Sequence, residues 1–151
     1  MASELESFSG TVQKGTGSAS GNLSLQIPLI AKQFPEISGA HPGTINVQLD
    51  FEDFRVAAPD FITTDIDWRE ANTEDAKTYG PEVFHLTRIC IQPSGRPRYC
   101  AWLYGPQQSS HRDKRGYIEV VSPTKIVGLE AGTRIEIFIN GEKVGPVSKP
   151  G

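Results

Sequence analysis

Two features of this sequence combine residue types and spacings that suit phosphate and metal chemistry. The first follows a stretch with strand character and consists of Gly15, Thr16, Gly17, Ser18, Ala19 and Ser20. Its backbone amides can surround a phosphate, because small side chains let a ligand approach the backbone closely. The second is the pair Thr44 and Asn46, which follows a Pro-Gly turn. Residues two apart in an extended chain point to the same face, so these neutral oxygens predict a Mg²⁺ site beside a bound nucleoside triphosphate.

Composition limits the classes of protein to which this chain can belong. Its 151 residues are enough for one domain, and 15 Lys and Arg against 18 Asp and Glu give a formal net charge of −3. A general nucleic-acid binder would usually carry a basic excess, so we expect no nucleic-acid partner. No apolar run approaches the roughly 18 residues of a membrane span, and the first residues are acidic, unlike a signal peptide. The sequence therefore predicts a cytoplasmic protein that does not bind a membrane.

Short strands dominate the pattern along the chain. Ile135, Ile137 and Ile139 alternate with other side chains, as in a half-buried strand, and Asn140-Gly141 follows as a turn. One helix is predicted over 27–34, with Pro28 in its first turn and Pro35 after it. The predicted strands cover residues 7–13, 23–26, 44–49, 54–57, 83–91, 98–104, 117–122 and 134–140. Many short strands with one helix indicate a mainly β protein that forms a small closed β-barrel.

Several segments do not fit the regular strand pattern. Residues 60–80 are acidic and lack periodicity, which predicts a loop or an irregular helix inserted between strands. We expect an N-terminal extension over 1–8, a barrel domain over 9–140 and a poorly ordered tail over 141–151. Cys90 and Cys100 lie at equal distances from Gly95, so a turn there would place them opposite each other. Such thiols can oxidise, but in a reducing compartment small apolar groups are the expected role.

The order of these motifs resembles the archaeal-type CTP-dependent riboflavin kinases over about residues 9–139, although 53–108 match only in strand pattern. The resemblance implies a six-stranded cradle-loop (riboflavin-kinase-like) barrel. That family has a glycine-rich loop, a Pro-Gly-Thr-Leu-Asn motif, an Ile-Glu-Ile-Ile-Ala-Pro strand, a Lys-Leu-Arg element and a Leu-x-x-Gly-Asp turn. The corresponding segments here are Gly15-Thr16-Gly17-Ser18-Ala19, Pro42-Gly43-Thr44-Ile45-Asn46, Ile118-Glu119-Val120-Val121-Ser122-Pro123, Thr124-Lys125-Ile126-Val127 and Leu129-Glu130-Ala131-Gly132-Thr133.

The resemblance also implies roles for individual residues. Thr44 and Asn46 would hold Mg²⁺, and the 15–20 segment would surround the nucleotide phosphates. Glu119 would be catalytic and would face the flavin, with Ser109 as a second flavin contact. The other side of the nucleotide would be lined by Thr124, Lys125, Ile126 and Val127. The implied reaction transfers the γ-phosphate of CTP, or of another nucleoside triphosphate, to riboflavin and gives flavin mononucleotide (FMN).

The chain departs from the family pattern at two places that bind phosphate. Ala19 and Ser20 stand where the family has its third glycine and often a cation, and Val127 stands where it has arginine. A missing guanidinium removes a bidentate phosphate contact. The candidate replacements are Lys14, Arg112, Lys114 and Arg115. Two alternatives follow from these departures: a non-catalytic barrel that binds flavin or nucleotide, and a ligand-sensing regulatory module that acts through a partner chain.

Overall fold

The computed structural model describes residues 5–14, 19–64, 83–106 and 115–144. One α-helix, α1, spans Ala19–Gln33, and short 3₁₀ helices span Pro35–Ile37 and Gly141–Lys143. The strands are β1 (Leu5–Gln13), β2 (Thr44–Leu49), β3 (Phe61–Ile62), β4 (Phe84–Pro93), β5 (Tyr99–Pro106), β6 (Tyr117–Val121) and β7 (Arg134–Asn140).

Six of these strands form a closed antiparallel ring. Their order is β4-β5-β6-β2-β1-β7, and β7 pairs back onto β4 through residues from Cys90 to Pro93. Among the described residues, the remaining strand, β3, pairs with the beginning of β4, at His85 and Leu86. The predicted mainly β fold with a small closed barrel is therefore confirmed.

Alternating apolar side chains fill the interior of the ring. Ile135, Ile137 and Ile139 of β7 are buried, as their spacing predicted, and Val47 and Val120 contribute from β2 and β6. Because one face of each strand is buried in this way, a shift of one residue would expose the whole apolar set. The interior therefore fixes the register between strands, which in turn decides which outward-facing side chains become neighbours.

Helix α1 covers the outer face of β4, β5 and β6. Ile27, Ile30 and Phe34 are buried against a patch that includes Phe84 and Trp102. The predictions of a strand over 23–26 and of a helix beginning at residue 27 are wrong, because α1 begins at Ala19. Pro28 lies inside the helix and removes one intrahelical hydrogen bond, but burial of the apolar face against the barrel offsets that loss.

Other boundaries also differ from the sequence pattern. The strand predicted over 54–57 is wrong, because only an isolated bridge between Val56 and Val144 forms there. β1 begins at Leu5, inside the predicted extension, and β4 and β5 each continue two residues beyond their predicted ends. Part of the predicted tail forms the 3₁₀ helix Gly141–Lys143, while residues 145–151 and residues 65–80 of the acidic segment lie outside the described residues.

The β4–β5 hairpin confirms the predicted placement of the cysteines. Its turn contains Gly95, whose φ of 76° favours glycine, and Cys90 pairs with Cys100 across the two strands. Among the described residues, no helix combines the length and apolarity that crossing a membrane requires.

Candidate functional site

A pocket of about 310 Å³ lies beside the start of β2. Both residues of the predicted metal pair, Thr44 and Asn46, line it. Three of the four residues predicted to line the nucleotide also reach it, although they follow β6 much later in the chain: Thr124, Lys125 and Ile126. The fold thus brings the predicted metal pair and most of this predicted nucleotide-binding segment into one pocket.

A hydrogen bond joins the two residues of the predicted metal pair within that pocket. The Thr44 hydroxyl donates a hydrogen bond to Asn46 Oδ1 at 3.2 Å, and Asn46 is almost fully buried. Mg²⁺ binds oxygens at about 2.0–2.1 Å in octahedral geometry, so adjacent ligands lie about 2.9 Å apart. The two side-chain oxygens are close to that separation, and both are hard neutral donors. This donor set fits Mg²⁺ whose remaining positions are filled by water and phosphate oxygens.

The turn before β2 is held against the end of β6 by backbone hydrogen bonds. The His41 amide donates to the Ser122 carbonyl at 3.0 Å, and the Gly43 amide donates to the His41 carbonyl at 2.9 Å. A Cβ on Gly43 would lie 3.0 Å from His41 Nε2, so glycine leaves room for the imidazole. His41 lines the pocket and was missed by the sequence analysis; its only sequence signal is its place directly before the Pro-Gly turn.

Glu119 lies opposite Asn46 in the register of β2 and β6. Both side chains face outward, because their neighbours Val47 and Val120 face the barrel interior. Side chains that are directly opposite in an antiparallel pair have Cβ atoms about 4.5–5.5 Å apart. The carboxylate predicted to be catalytic is therefore a direct neighbour of a predicted metal ligand. Burial, with the nearby Glu119 charge as a smaller cause, raises the pKa of Tyr117 above its usual value.

Polar side chains of neighbouring strands form a row across the outer surface of the barrel, level with Asn46 and Glu119. Gln13 of β1 pairs with Asn46 on the side away from Glu119. On the other side, Trp102 pairs with Val121, and the same register continued places Tyr104 level with Glu119. The Tyr104 hydroxyl donates to Gln26 Oε1 of α1, and both residues are buried. Sequence reasoning missed Gln26 and Tyr104, because neither residue belongs to a motif and their contact joins distant segments.

The structure describes only part of the predicted phosphate segment, residues 15–20. Gly15, Thr16, Gly17 and Ser18 lie outside the described residues, whereas Ala19 and Ser20 are the first residues of α1. Lys14, immediately before this segment, lines the pocket. The first turn of a helix presents unpaired amides and a partial positive charge, which favour an anion. These placements are compatible with a phosphate near residues 14–20.

Two other predicted site residues are not part of the described pocket. Val127 does not line the pocket: its side chain is exposed, and its carbonyl accepts a hydrogen bond from Arg96 Nη1 at 2.7 Å. Ser109, the predicted flavin contact, lies outside the described residues. The structure therefore separates Val127 from Lys125, although they are only two residues apart in the sequence.

The cations predicted to replace the family arginine also differ in placement. Arg112 and Lys114 lie outside the described residues. Arg115 forms an ion pair with Asp53, and its carbonyl accepts from Gln48 Nε2 at 2.8 Å, toward the end of β2 away from Thr44. In the described part of the pocket lining, the cationic side chains are those of Lys14 and Lys125, the first of which was among the predicted replacements.

An assignment of function depends on the pocket beside β2 and on the neighbouring carboxylate of Glu119. The described residues contain no group of three or more His, Cys, Asp or Glu able to hold a metal ion. Comparison with known proteins finds no matching family model and no matching curated protein.

Proposed function

We propose that this chain is a riboflavin kinase, which transfers the γ-phosphate of a nucleoside triphosphate to riboflavin. The observation that carries the proposal is the convergence of Thr44 and Asn46 with residues 124–126 in one pocket, with Glu119 opposite Asn46 in the strand register although it does not itself line the pocket. A Mg²⁺ ligand pair, cations for phosphates and a carboxylate near the reacting hydroxyl are the parts that phosphoryl transfer requires. The resemblance to the CTP-dependent family makes CTP the proposed donor and FMN the product.

Each group of residues has a defined part in this reaction. Thr44 and Asn46 hold Mg²⁺, which neutralises phosphate charge when it is bound. Lys14 and Lys125 contact the phosphates from the pocket wall, and residues 15–20 supply backbone amides. Glu119 accepts a hydrogen bond from the terminal hydroxyl of riboflavin, orients it and takes its proton as the phosphoryl group is transferred. Catalysis therefore depends on positioning and charge, with no covalent bond to the protein.

The decisive experiment offers all four common nucleoside triphosphates to the full chain with riboflavin and Mg²⁺, and measures FMN by chromatography. We expect FMN with CTP, and none when a chelator removes Mg²⁺. If none of the four nucleotides gives FMN, the proposed activity is contradicted. Calorimetry with riboflavin and CTP on the same sample then tests whether the site binds either compound.

A second candidate is a barrel that binds flavin or nucleotide without transfer. The exposure of Val127 outside the pocket favours it, because the related kinases have a phosphate-binding arginine at that position. This candidate predicts measurable binding of riboflavin or CTP in calorimetry with no FMN from any donor. The same two measurements therefore separate the candidates.

A further inference from the structure

An apolar groove on the outer surface of the barrel contains two thiols. The groove has a volume of about 460 Å³ and lies over β4, β5 and β7, away from the pocket beside β2. Trp102, Phe138 and the exposed Leu5 line it together with Cys90 and Cys100. Both cysteines are free: Cys100 is exposed and Cys90 is half-buried.

The barrel register holds the two thiols together. Cys90 pairs directly with Cys100, and the flanking pairs Ile89–Ala101 and Ile91–Tyr99 continue the same register. Ile89, Ile91 and Ala101 are buried in the barrel interior, so both cysteines face outward.

This arrangement meets the backbone requirement of a disulfide. Residues directly opposite in an antiparallel pair have Cα atoms about 4.5 or 5.5 Å apart. Disulfides accept Cα separations of about 4.4–6.8 Å. The sulfurs can therefore bond after side-chain rotation, and the strands keep their pairing.

The surroundings of the two thiols are different. Burial, and to a smaller degree the Cys100 thiol, raise the pKa of the Cys90 thiol, while the nearby Arg98 charge partly opposes this shift. The Arg98 guanidinium lies 3.8 Å from the centre of the Phe138 ring, and Phe138 of β7 pairs with Cys90 of β4. Cys100 is more accessible to a molecule in solution, so Cys100 is the thiol that an oxidant meets first.

We propose that Cys90 and Cys100 form a redox-modification site, which a small-molecule disulfide such as oxidised glutathione converts to a reversible cross-strand disulfide. The Cys100 thiolate attacks the oxidant and releases one thiol, which leaves a mixed disulfide on Cys100. The Cys90 thiolate then attacks Cys100 Sγ and releases the second thiol. The two protein thiols lose two electrons and two protons, and the oxidant becomes two thiols.

The test treats the reduced full chain with oxidised glutathione, quenches with acid and measures the intact mass without reductant. We expect a product lighter by two hydrogen atoms with no adduct, and recovery of both thiols after treatment with a phosphine reductant. A wild-type product that retains glutathione, that dimerises through disulfides or that keeps both thiols free would overturn the proposal.

Single variants check the order of the steps. Cys90→Ser should stop at one glutathione adduct on Cys100, because no second thiol can displace it. Cys100→Ser should form its adduct more slowly, because Cys90 is half-buried. Equal adduct rates in the two variants would contradict the assigned order. The wild-type mass measurement tests the site even if a variant does not fold.

The unfolded chain provides the matched control for the role of the register. In urea the two cysteines meet only by diffusion of the intervening chain, so the disulfide should close at least about tenfold more slowly than in the folded protein, at equal thiolate fraction. Equal rates of closure in the two states would overturn the inference that the barrel holds the thiols in a reactive arrangement.

Discussion

At the scale of single residues, Asn46 is a buried polar residue of the candidate site. Its Oδ1 accepts from the Thr44 hydroxyl, and it lies opposite Glu119. Asn46→Ala removes one proposed Mg²⁺ ligand and keeps a side chain that β2 can accommodate. We expect FMN formation to fall by about ten- to a hundredfold at limiting Mg²⁺, because a hydrogen bond or ligand contact to a charged group contributes about 1.5–3 kcal/mol.

The control for this substitution is Asn140→Ala, the same chemical change on β7. The Asn140 side chain accepts from the Glu142 amide at 2.9 Å and caps the 3₁₀ helix Gly141–Lys143. The Asn140→Ala substitution should lower the free energy of unfolding by about 1 kcal/mol and leave the Mg²⁺ dependence of FMN formation unchanged. If Asn46→Ala is folded by circular dichroism and turns over like the parent at every Mg²⁺ concentration, Asn46 is not a ligand.

Lys125 is the residue by which the proposed nucleotide contact is best tested. It lines the pocket, whereas Val127 does not, so lysine is the cation of that segment placed to meet a phosphate. Lys125→Ala should weaken CTP binding about tenfold in calorimetry and make the remaining affinity less sensitive to salt. Arg98→Ala removes the same charge beside Phe138, which lines the apolar groove over β4, β5 and β7, and should leave CTP affinity unchanged. Equal effects of the two variants would indicate only a change in net charge.

At the scale of secondary-structure elements, Glu36 joins the segment after α1 to the barrel. Its carboxylate accepts three hydrogen bonds from Nε and Nη2 of Arg88 of β4 at 2.6–2.9 Å and one from the Trp102 indole of β5 at 2.6 Å. The Arg88 hydrogen bonds, with those of Trp102, hold the pKa of Glu36 below its usual value against the opposing effect of burial. The ionised carboxylate is therefore the form that fastens the helix end to β4 and β5.

Stability should depend on pH through this junction. Because the pKa of Glu36 is lower in the folded state, its contribution is fully present above the unfolded pKa and is lost as pH falls through the folded value. Glu36→Gln should lower the free energy of unfolding by about 1 kcal/mol at pH 7, a modest amount because the Glu36–Arg88 pair is partly exposed. The difference in this free energy between variant and wild type should shrink below about pH 4. Urea denaturation at several pH values measures this difference. A constant difference between pH 7 and pH 3 would contradict the assignment.

At the scale of the whole molecule, closure of the ring requires close approach of β1 to its neighbours. Gly10 pairs with Leu49 of β2 and with Ile135 of β7. A Cβ at this position would lie 2.7 Å from the Gln48 carbonyl oxygen and 2.8 Å from Val47 Cγ1. Gly10→Ala must therefore move backbone, and we expect a loss of about 1–3 kcal/mol with a lower melting temperature.

Gly105→Ala is the matched control, because Gly105 also lies in a strand of the ring. A Cβ there would meet its nearest neighbours, in His85, at 3.7 Å, which is an ordinary contact. The melting temperature of this variant should stay close to that of wild type. If both variants melt alike, the tight approach at Gly10 is relieved without cost and does not limit closure of the barrel.

The sequence predicted part of the candidate site because that part is local. Thr44 and Asn46 share a face as residues two apart in any strand, and the structure places both in the pocket. Of the other residues in the pocket, 124–126 were implied by the resemblance and Lys14 was a candidate cation, whereas His41 had only its place before the Pro-Gly turn as a signal. Lys14 and His41 line the same pocket because β1 and the turn before β2 lie beside residues 124–126.

The sequence by itself determined the mainly β class, the buried isoleucines of β7 and the pairing of Cys90 with Cys100, because period-two alternation and a short hairpin depend only on nearby residues. Tertiary structure alone showed that the helix extends from Ala19 to Gln33, and its later part, with Ile27 and Ile30, is buried against the barrel. It also placed Glu119 opposite Asn46 and left Val127 outside the pocket. Pairing between distant strands follows from packing of the whole interior, which no short segment of sequence contains.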